Sequence, residues 1–292
     1  MTESNALVVG GTSGIGLATA RLLRQRGATV HVVGRTERSV DPERPVDSAR
    51  PVGTARPVGT ARPVGTAPPV GTAPPVGTAR PVGTERPVDS GRPVGTDRLV
   101  DSELIAHRAD GGDPDQMAAV VEKVGTIDWL VVALSGAEGA GPIAELDVAT
   151  LRRAFDGKFW AHLTTIRAAL PRLAPTGSIT LIGAISARAA MPGTAGLAAI
   201  NGAVEAMVKP LANELAPIRV NGVSPGLVDT PWWSAIPEEQ RRLYFEQMAE
   251  RLPTRRVATA EEVAEVVALA ATNPNLTGTV LEADGGARLV AL

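Results

Sequence analysis

Eight residues near the N-terminus, "VGGTSGIG" (Val9–Gly16), sit between an apolar run and a run of helical periodicity, and few folds accommodate that order. "NALVVGG" is a short apolar stretch closed by glycine. "GIGLATARLLRQRG" has apolar residues at helical spacing and stops at Gly27, and "ATVHVVGR" is β-branched and apolar again. Strand, helix and strand in this order make a βαβ unit, which requires a parallel sheet. Within the turn, Gly10 permits a sharp reversal, Gly14 lets the backbone approach a pyrophosphate, and Gly16 allows the helix to pack closely; Thr12, Ser13 and Ile15 complete the turn. The free amides and positive dipole end of the following helix suit a phosphate. Such a glycine spacing also serves purely conformational ends, but its place between a strand and a helix points to dinucleotide binding.

The alternation continues further along the chain. "ELIAHRAD" reads as a strand, "DPDQMAAVVEKVG" as a helix capped by Asp113, "IDWLVVALSG" as a strand, and Val148 to Leu173 as one long helix. "GSITLIGAIS" is a strand, residues 196 to 215 a helix, "IRVNGVSPG" a strand, "TAEEVAEVVALAAT" a helix and "GTVLEADGG" a last strand. Seven strands alternating with helices predict an α/β fold, a single doubly wound Rossmann domain with a parallel seven-stranded sheet.

One segment departs from this pattern. From Arg44 to Glu103 a hexapeptide is written ten times, from "RPVDSA" through "RPVGTA" and "PPVGTA" to "RLVDSE", and these 60 residues hold 11 of the chain's 24 prolines. Recurring proline removes backbone donors, and one valine per repeat offers little to bury, so the repeat reads as an extended or disordered insertion. A β-solenoid of hexapeptide rungs is the alternative. The expected organisation is a cofactor domain formed by 1–43 and 104–292, interrupted by the insertion at 44–103.

Composition narrows the possible chemistry. A net charge of −2 offers no basic footprint for nucleic acid, and no run of eighteen apolar residues or N-terminal signal pattern is present, which predicts no membrane association and a cytoplasmic location. The absence of cysteine removes disulfides and thiolate chemistry, and the three scattered histidines, His31, His107 and His162, argue against a metal centre. A small-molecule substrate and an organic cofactor are the expected partners. At the end of the second strand, where an NAD site places an acid for the ribose hydroxyl, the chain has Arg35, whose planar fork suits a 2′-phosphate; NADP(H) is therefore expected over NAD(H), with a solvated loop arginine as the alternative.

Taken with "RADGGDPDQ", "IDWLVVALSGAEGAGPIAELD", "GSITLIGAIS", "ELAPIRVNGVSPGLVDTP" and "LTGTVLEADGG", the chain outside the repeat resembles the short-chain dehydrogenase/reductase family. The resemblance implies that Asp110 meets the adenine amino group and that Leu134 and Ser135 lie beside the cofactor. It also implies that Pro225, Gly226, Val228 and Thr230 hold the nicotinamide end and the pyrophosphate, and that the helix at 196–215 mediates a homodimer or homotetramer. Asp110 as a turn former and Pro225-Gly226 as a turn dipeptide are plain structural alternatives.

The same resemblance implies a catalytic tyrosine, a lysine four residues on, a serine and an asparagine. Those positions fall on Leu197, Asn201, Ala184 and Lys158. The chain thus reads as a divergent member without the usual four groups. Lys158, Ser135 and Ser186 are the remaining candidates for proton handling; a snorkelling lysine and loop-bonding serines are the alternatives. The alternating strand pattern puts the Ser186 side chain on the same face as Ala184, as a displaced substitute for the missing serine. Trp232, Trp233 and Phe245 are candidate substrate walls. Three functions stay open: an oxidoreductase with a rebuilt acid, a cofactor-binding protein without turnover, and a lyase or isomerase using the same pocket.

Overall fold

The computed structural model describes residues 4–35, 104–136 and 138–290. The repeat at 44–103 lies outside the described residues. The apolar runs form the strands β1 (Asn5–Val9), β2 (Thr29–Gly34), β3 (Leu104–Arg108), β4 (Ile127–Val132), β5 (Leu173–Ile182) and β6 (Arg219–Pro225). A short parallel pair, β7 (Val228–Asp229) with β8 (Ala258–Thr259), stands apart, and β9 (Val280–Ala283) is the last strand. The main sheet runs β3-β2-β1-β4-β5-β6-β9, and every pairing in it is parallel. This is the Rossmann-like arrangement expected from the βαβ alternation.

Helices cover both faces. They are α1 (Gly14–Gln25), α2 (Pro114–Val124), α3 (Val148–Phe155), α4 (Ala161–Ala169), α5 (Ala195–Ala206), α6 (Val208–Glu214), α7 (Glu238–Arg251) and α8 (Ala260–Thr272). Because successive strand residues point to opposite faces, β1 splits its apolar residues between two cores. Leu7 and Val9 join Met117, Val120, Leu130, Ile166 and Leu181 on one side. Ala6 and Val8 join Leu23, Val32, Val131 and Val267 on the other. Asp113 caps α2 as expected, its carboxylate accepting the amides of Asp115 and Gln116 at 3.0 Å.

Three elements differ from the sequence expectation. The long helix over Val148–Leu173 is broken: a π turn at Asp156–Trp160 separates α3 from α4, a 3-10 turn at Leu170–Arg172 ends it, and Leu173 already belongs to β5. Gly157 lies inside the π turn and weakens the α ladder there. The helix over 196–215 is likewise two helices, because Pro210 in the first turn of α6 has no amide to donate back to Ala206. Finally, β5 ends at Ile182 and Ile185–Ala187 is a 3-10 turn. Strand alternation therefore does not relate Ser186 to Ala184.

Candidate active site

The sheet order reverses between β1 and β4, so the crevice at their C-terminal ends is where an open α/β sheet binds ligands. The residues singled out in the sequence collect along that edge. Gly10 (φ 84°) turns the chain out of β1, its amide donating to the Val33 carbonyl at 2.9 Å. A Cβ on Gly16 would stand 2.2 Å from the Gly10 oxygen, so only glycine lets α1 start this close to the strand. Ser13 precedes α1 without making a side-chain cap, which leaves the first-turn amides of a 12-residue helix uncovered by any side chain of the N-cap. Thr230 faces this turn from the loop after β6: a Cβ on Gly14 would come within 3.4 Å of the Thr230 Cβ. Thr12 sits against Gly34, and Ile15 is half-buried in the second core.

Arg35 is exposed immediately after β2. Asp110 is exposed after β3 and accepts the Gly112 amide with Oδ1 at 2.9 Å. It is thus a turn former, with Oδ2 free of hydrogen bonds among the described residues. Leu134 packs on the first core beside Gly111, whereas Ser135 is exposed. Pro225 ends β6, the Gly226 amide donates to the Ala283 carbonyl at 3.0 Å, and Val228 is buried in β7. A bare glycine turn, an uncapped helix N-terminus and Thr230 closing the far side together make a cradle of the shape and donor chemistry that a dinucleotide pyrophosphate requires.

The aromatic residues after β6 pack on one another. Trp233 meets Trp232, Tyr244 and Phe245 at ring-centroid distances of 4.6, 5.5 and 5.5 Å. The Trp233 indole N–H donates to the Val228 carbonyl at 3.0 Å, while that of Trp232 crosses to the Gly136 carbonyl at 3.1 Å and joins the loops after β6 and β4.

At the end of β5 the chemistry is concentrated. Lys158 lies in the π turn, only 8% exposed, and its Nζ donates to the Gly183 carbonyl at 3.3 Å. Burial lowers its pKa to about 8, partly offset by the Glu205 carboxylate. One turn on, the fully buried His162 donates through Nδ1 to the Lys158 carbonyl at 2.8 Å. Burial, with Lys158 adding to it, lowers the His162 pKa to about 3, so this imidazole is neutral. From α5, the Asn201 Nδ2 donates to Ser186 Oγ at 3.0 Å and to the Leu197 carbonyl at 2.9 Å; its buried Oδ1 has no hydrogen-bond partner among the described residues. Leu197 lies half-buried beside Gly139, and Ala184 precedes the 3-10 turn. Lys158, Ser186 and Asn201 are therefore brought to one end of β5, whereas Ser135 stands exposed on the β4 loop.

Two participants carried no sequence argument. Glu205 and Arg188 form an ion pair at 2.8 Å beside Gly183. The available signal was spacing: Leu197, Asn201 and Glu205 recur every four residues, which places them on one face of α5.

The fold defines an α/β protein of the Rossmann class, with a crevice at the C-terminal ends of β1 and β4. A family model described as enoyl-(acyl carrier protein) reductase matches residues 101–288. The chain is 29% identical to the cis-4-hydroxycyclohexanecarboxylate dehydrogenase of Sinomonas cyclohexanicum, over 97% of this chain and 96% of that protein. It is 32% identical to a 3-oxoacyl-(acyl-carrier-protein) reductase of Thermotoga maritima, over 60% of this chain and 73% of that one. Among solved structures, a small-chain dehydrogenase crystallised in complex with NADPH superposes with a TM-score of 0.71 at 28% identity, covering 98% of this chain and 99% of that one. The chain belongs to the short-chain dehydrogenase/reductase family of oxidoreductases.

Proposed function

We propose that this protein is an NADP(H)-dependent carbonyl reductase, or alcohol dehydrogenase in the reverse direction, in which Lys158 handles the proton that a tyrosine at position 197 would otherwise carry. The observation that carries the reading is the buried Lys158, held at the end of β5 in a chain whose positions 184 and 197 offer no proton. The chemistry a nicotinamide cofactor supplies when bound is hydride transfer. The turn Gly10–Gly16 and the α1 amides would hold its pyrophosphate, Asp110 its adenine, Arg35 a 2′-phosphate, and Pro225, Gly226, Val228 and Thr230 the opposite side. The Asn201 Oδ1, without a hydrogen-bond partner among the described residues, suits a ribose hydroxyl.

With a pKa of about 8, Lys158 is mainly an ammonium at pH 7 yet is a far better acid than a solvated lysine. It gives a proton from Nζ to an alkoxide oxygen and returns to the amine, a step for which a positioned acid contributes on the order of 10²–10⁴ in rate. Ser186, held by Asn201, keeps its hydroxyl hydrogen for an oxygen acceptor. Mixing the purified chain with NADPH and a panel of aldehydes, ketones and quinones tests the reading. Turnover that Lys158→Met reduces by 10²-fold or more supports it, and undiminished turnover in that variant removes Lys158 from the mechanism.

A second reading is favoured by the same pocket: Leu197 and Ala184 leave a cofactor-binding protein without turnover if NADPH binds and no substrate in the panel is reduced. The organisation proposed is a cofactor domain from 1–43 and 104–292 with the repeat inserted between its second and third strands. The many small and apolar residues of α5 support a homodimer or homotetramer through that surface, which light scattering would measure.

A further inference from the structure

Lys158 and Glu205 approach the Gly183 backbone from two different helical segments. The Lys158 ammonium donates to the Gly183 carbonyl at 3.3 Å, its one hydrogen-bond partner among the described residues. A Cβ on Gly183 would lie 3.0 Å from Glu205 Oε1, so the carboxylate rests on the same peptide. The Glu205 side chain is only 9% exposed, and Oε1 is buried without a hydrogen-bond partner among the described residues. A buried carboxylate with one oxygen unsatisfied is costly unless a positive charge compensates it.

Arg188 takes the other oxygen at 2.8 Å but does not neutralise it alone, because its guanidinium also binds Glu282 at 2.7 Å. Glu282 in turn binds Arg288 at 2.6 Å, and Arg288 binds Asp284 at 3.1 Å. Three carboxylates thus share two guanidiniums, which leaves one negative charge over. The ammonium of Lys158 supplies the third cation and closes the balance.

We infer that Glu205 is the positioning residue for Lys158: across the Gly183 peptide it holds the lysine in its protonated form, so that the site carries a transferable proton between turnovers. The inference deepens the proposed role of Lys158 and rests on it for its catalytic meaning, though not for its test. His162, one turn from Lys158 on α4, is kept neutral by burial and by the nearby lysine charge, so it adds no positive charge beside Lys158. The groups facing Lys158 are thus Glu205, which favours the ammonium, and His162, which cannot share the proton at neutral pH; Arg188 acts through Glu205.

The chain has three lysines, Lys123, Lys158 and Lys209, so the full-length protein carrying ¹³Cε-lysine shows three side-chain signals, and Lys158→Met assigns the one of interest. Its titration reads the charge of Lys158 directly, without turnover. In Glu205→Gln the Lys158 signal should titrate lower than in the parent by about one pH unit or more. In Arg188→Met it should titrate higher, since Glu205 then serves the lysine alone, and Glu205→Asp should restore most of the parent value. A purely structural role predicts the opposite for Glu205→Gln: loosened packing admits water and moves Lys158 upward towards an ordinary lysine. An upward or absent shift there overturns the inference. Should that variant not fold, an unchanged or lowered titration in Arg188→Met overturns it equally. Retained reductase activity in Lys158→Met would instead overturn the proposed proton donor while leaving the titration result standing.

Discussion

Lowering the pH from 7.5 to 5.0 should remove about 4 kcal/mol of folding stability, and two buried histidines account for it. Burial holds His162 neutral down to about pH 3 and His107 down to about pH 4, whereas both titrate near 6.5 once unfolded. A folded value below the unfolded one means that the full contribution is present above pH 6.5 and is lost as the pH falls towards 4 and then 3. At pH 5.0 the unfolded chain has gained 1.5 pH units of protonation free energy per histidine, at 1.36 kcal/mol each, or about 2 kcal/mol apiece. His31, whose Nδ1 lies 2.8 Å from His107 Nε2, is shifted in the same direction. Between pH 7.5 and 5.0 unfolded-state carboxylates stay ionised, so histidine dominates the slope. Urea unfolding at pH 7.5, 6.5, 5.5 and 5.0 measures it, and His162→Leu should remove about half of the slope whatever it does to the stability at pH 7.5. A midpoint that stays constant over that range would refute the assignment of these imidazoles as buried and neutral.

Gly16→Val should weaken NADPH binding at least tenfold and lower the melting temperature, because its Cβ would meet the Gly10 oxygen at 2.2 Å; fluorescence titration with thermal melts checks both. Arg35→Ala should cost NADP(H) on the order of tenfold in affinity while leaving NAD(H) nearly unchanged, as expected for one exposed charge-assisted contact to a phosphate, and isothermal titration with both cofactors decides it. Replacing residues 44–103 with a short Gly/Ser linker should leave the melting temperature and cofactor affinity nearly unchanged, since proline-rich repeats with one valine each offer little area to bury. A large loss of stability would show that the repeat is packed.

The parts legible in the sequence were those with strong local signals. The β1-α1-β2 unit followed from glycine between two periodicities, and the Asp113 cap from an acid ahead of proline. The seven-stranded parallel sheet followed from the alternation of strand and helix patterns, whereas the strand order is seen only in the structure. What stayed hidden depended on longer-range contacts or on weak periodicity. α7, "EEQRRLYFEQMAER", gathers Leu243, Tyr244, Phe245 and Met248 in its middle among charged residues, so no regular apolar stripe announces it. Ser186 looked like a strand residue because nothing local shows that β5 stops at Ile182. Glu205 resembled any solvated helix acid until Gly183, Arg188 and Lys158 were seen to surround it.

The π turn at Asp156–Trp160 sets a rotational phase. Each residue advances an α-helix by about 100°, so one extra residue in a turn re-aims every side chain beyond it by that angle. α3 and α4 are in effect two helices with different headings, and the second heading turns His162, Thr165, Ile166 and Ala169 into the interior. The segment between them therefore does not behave as a spacer. Losing a single residue at Asp156 or Gly157 would keep the length almost unchanged, yet it would rotate Lys158 and His162 together away from Gly183 and carry Ile166 away from the sheet. Along this stretch the chain tolerates substitution far better than a change of count.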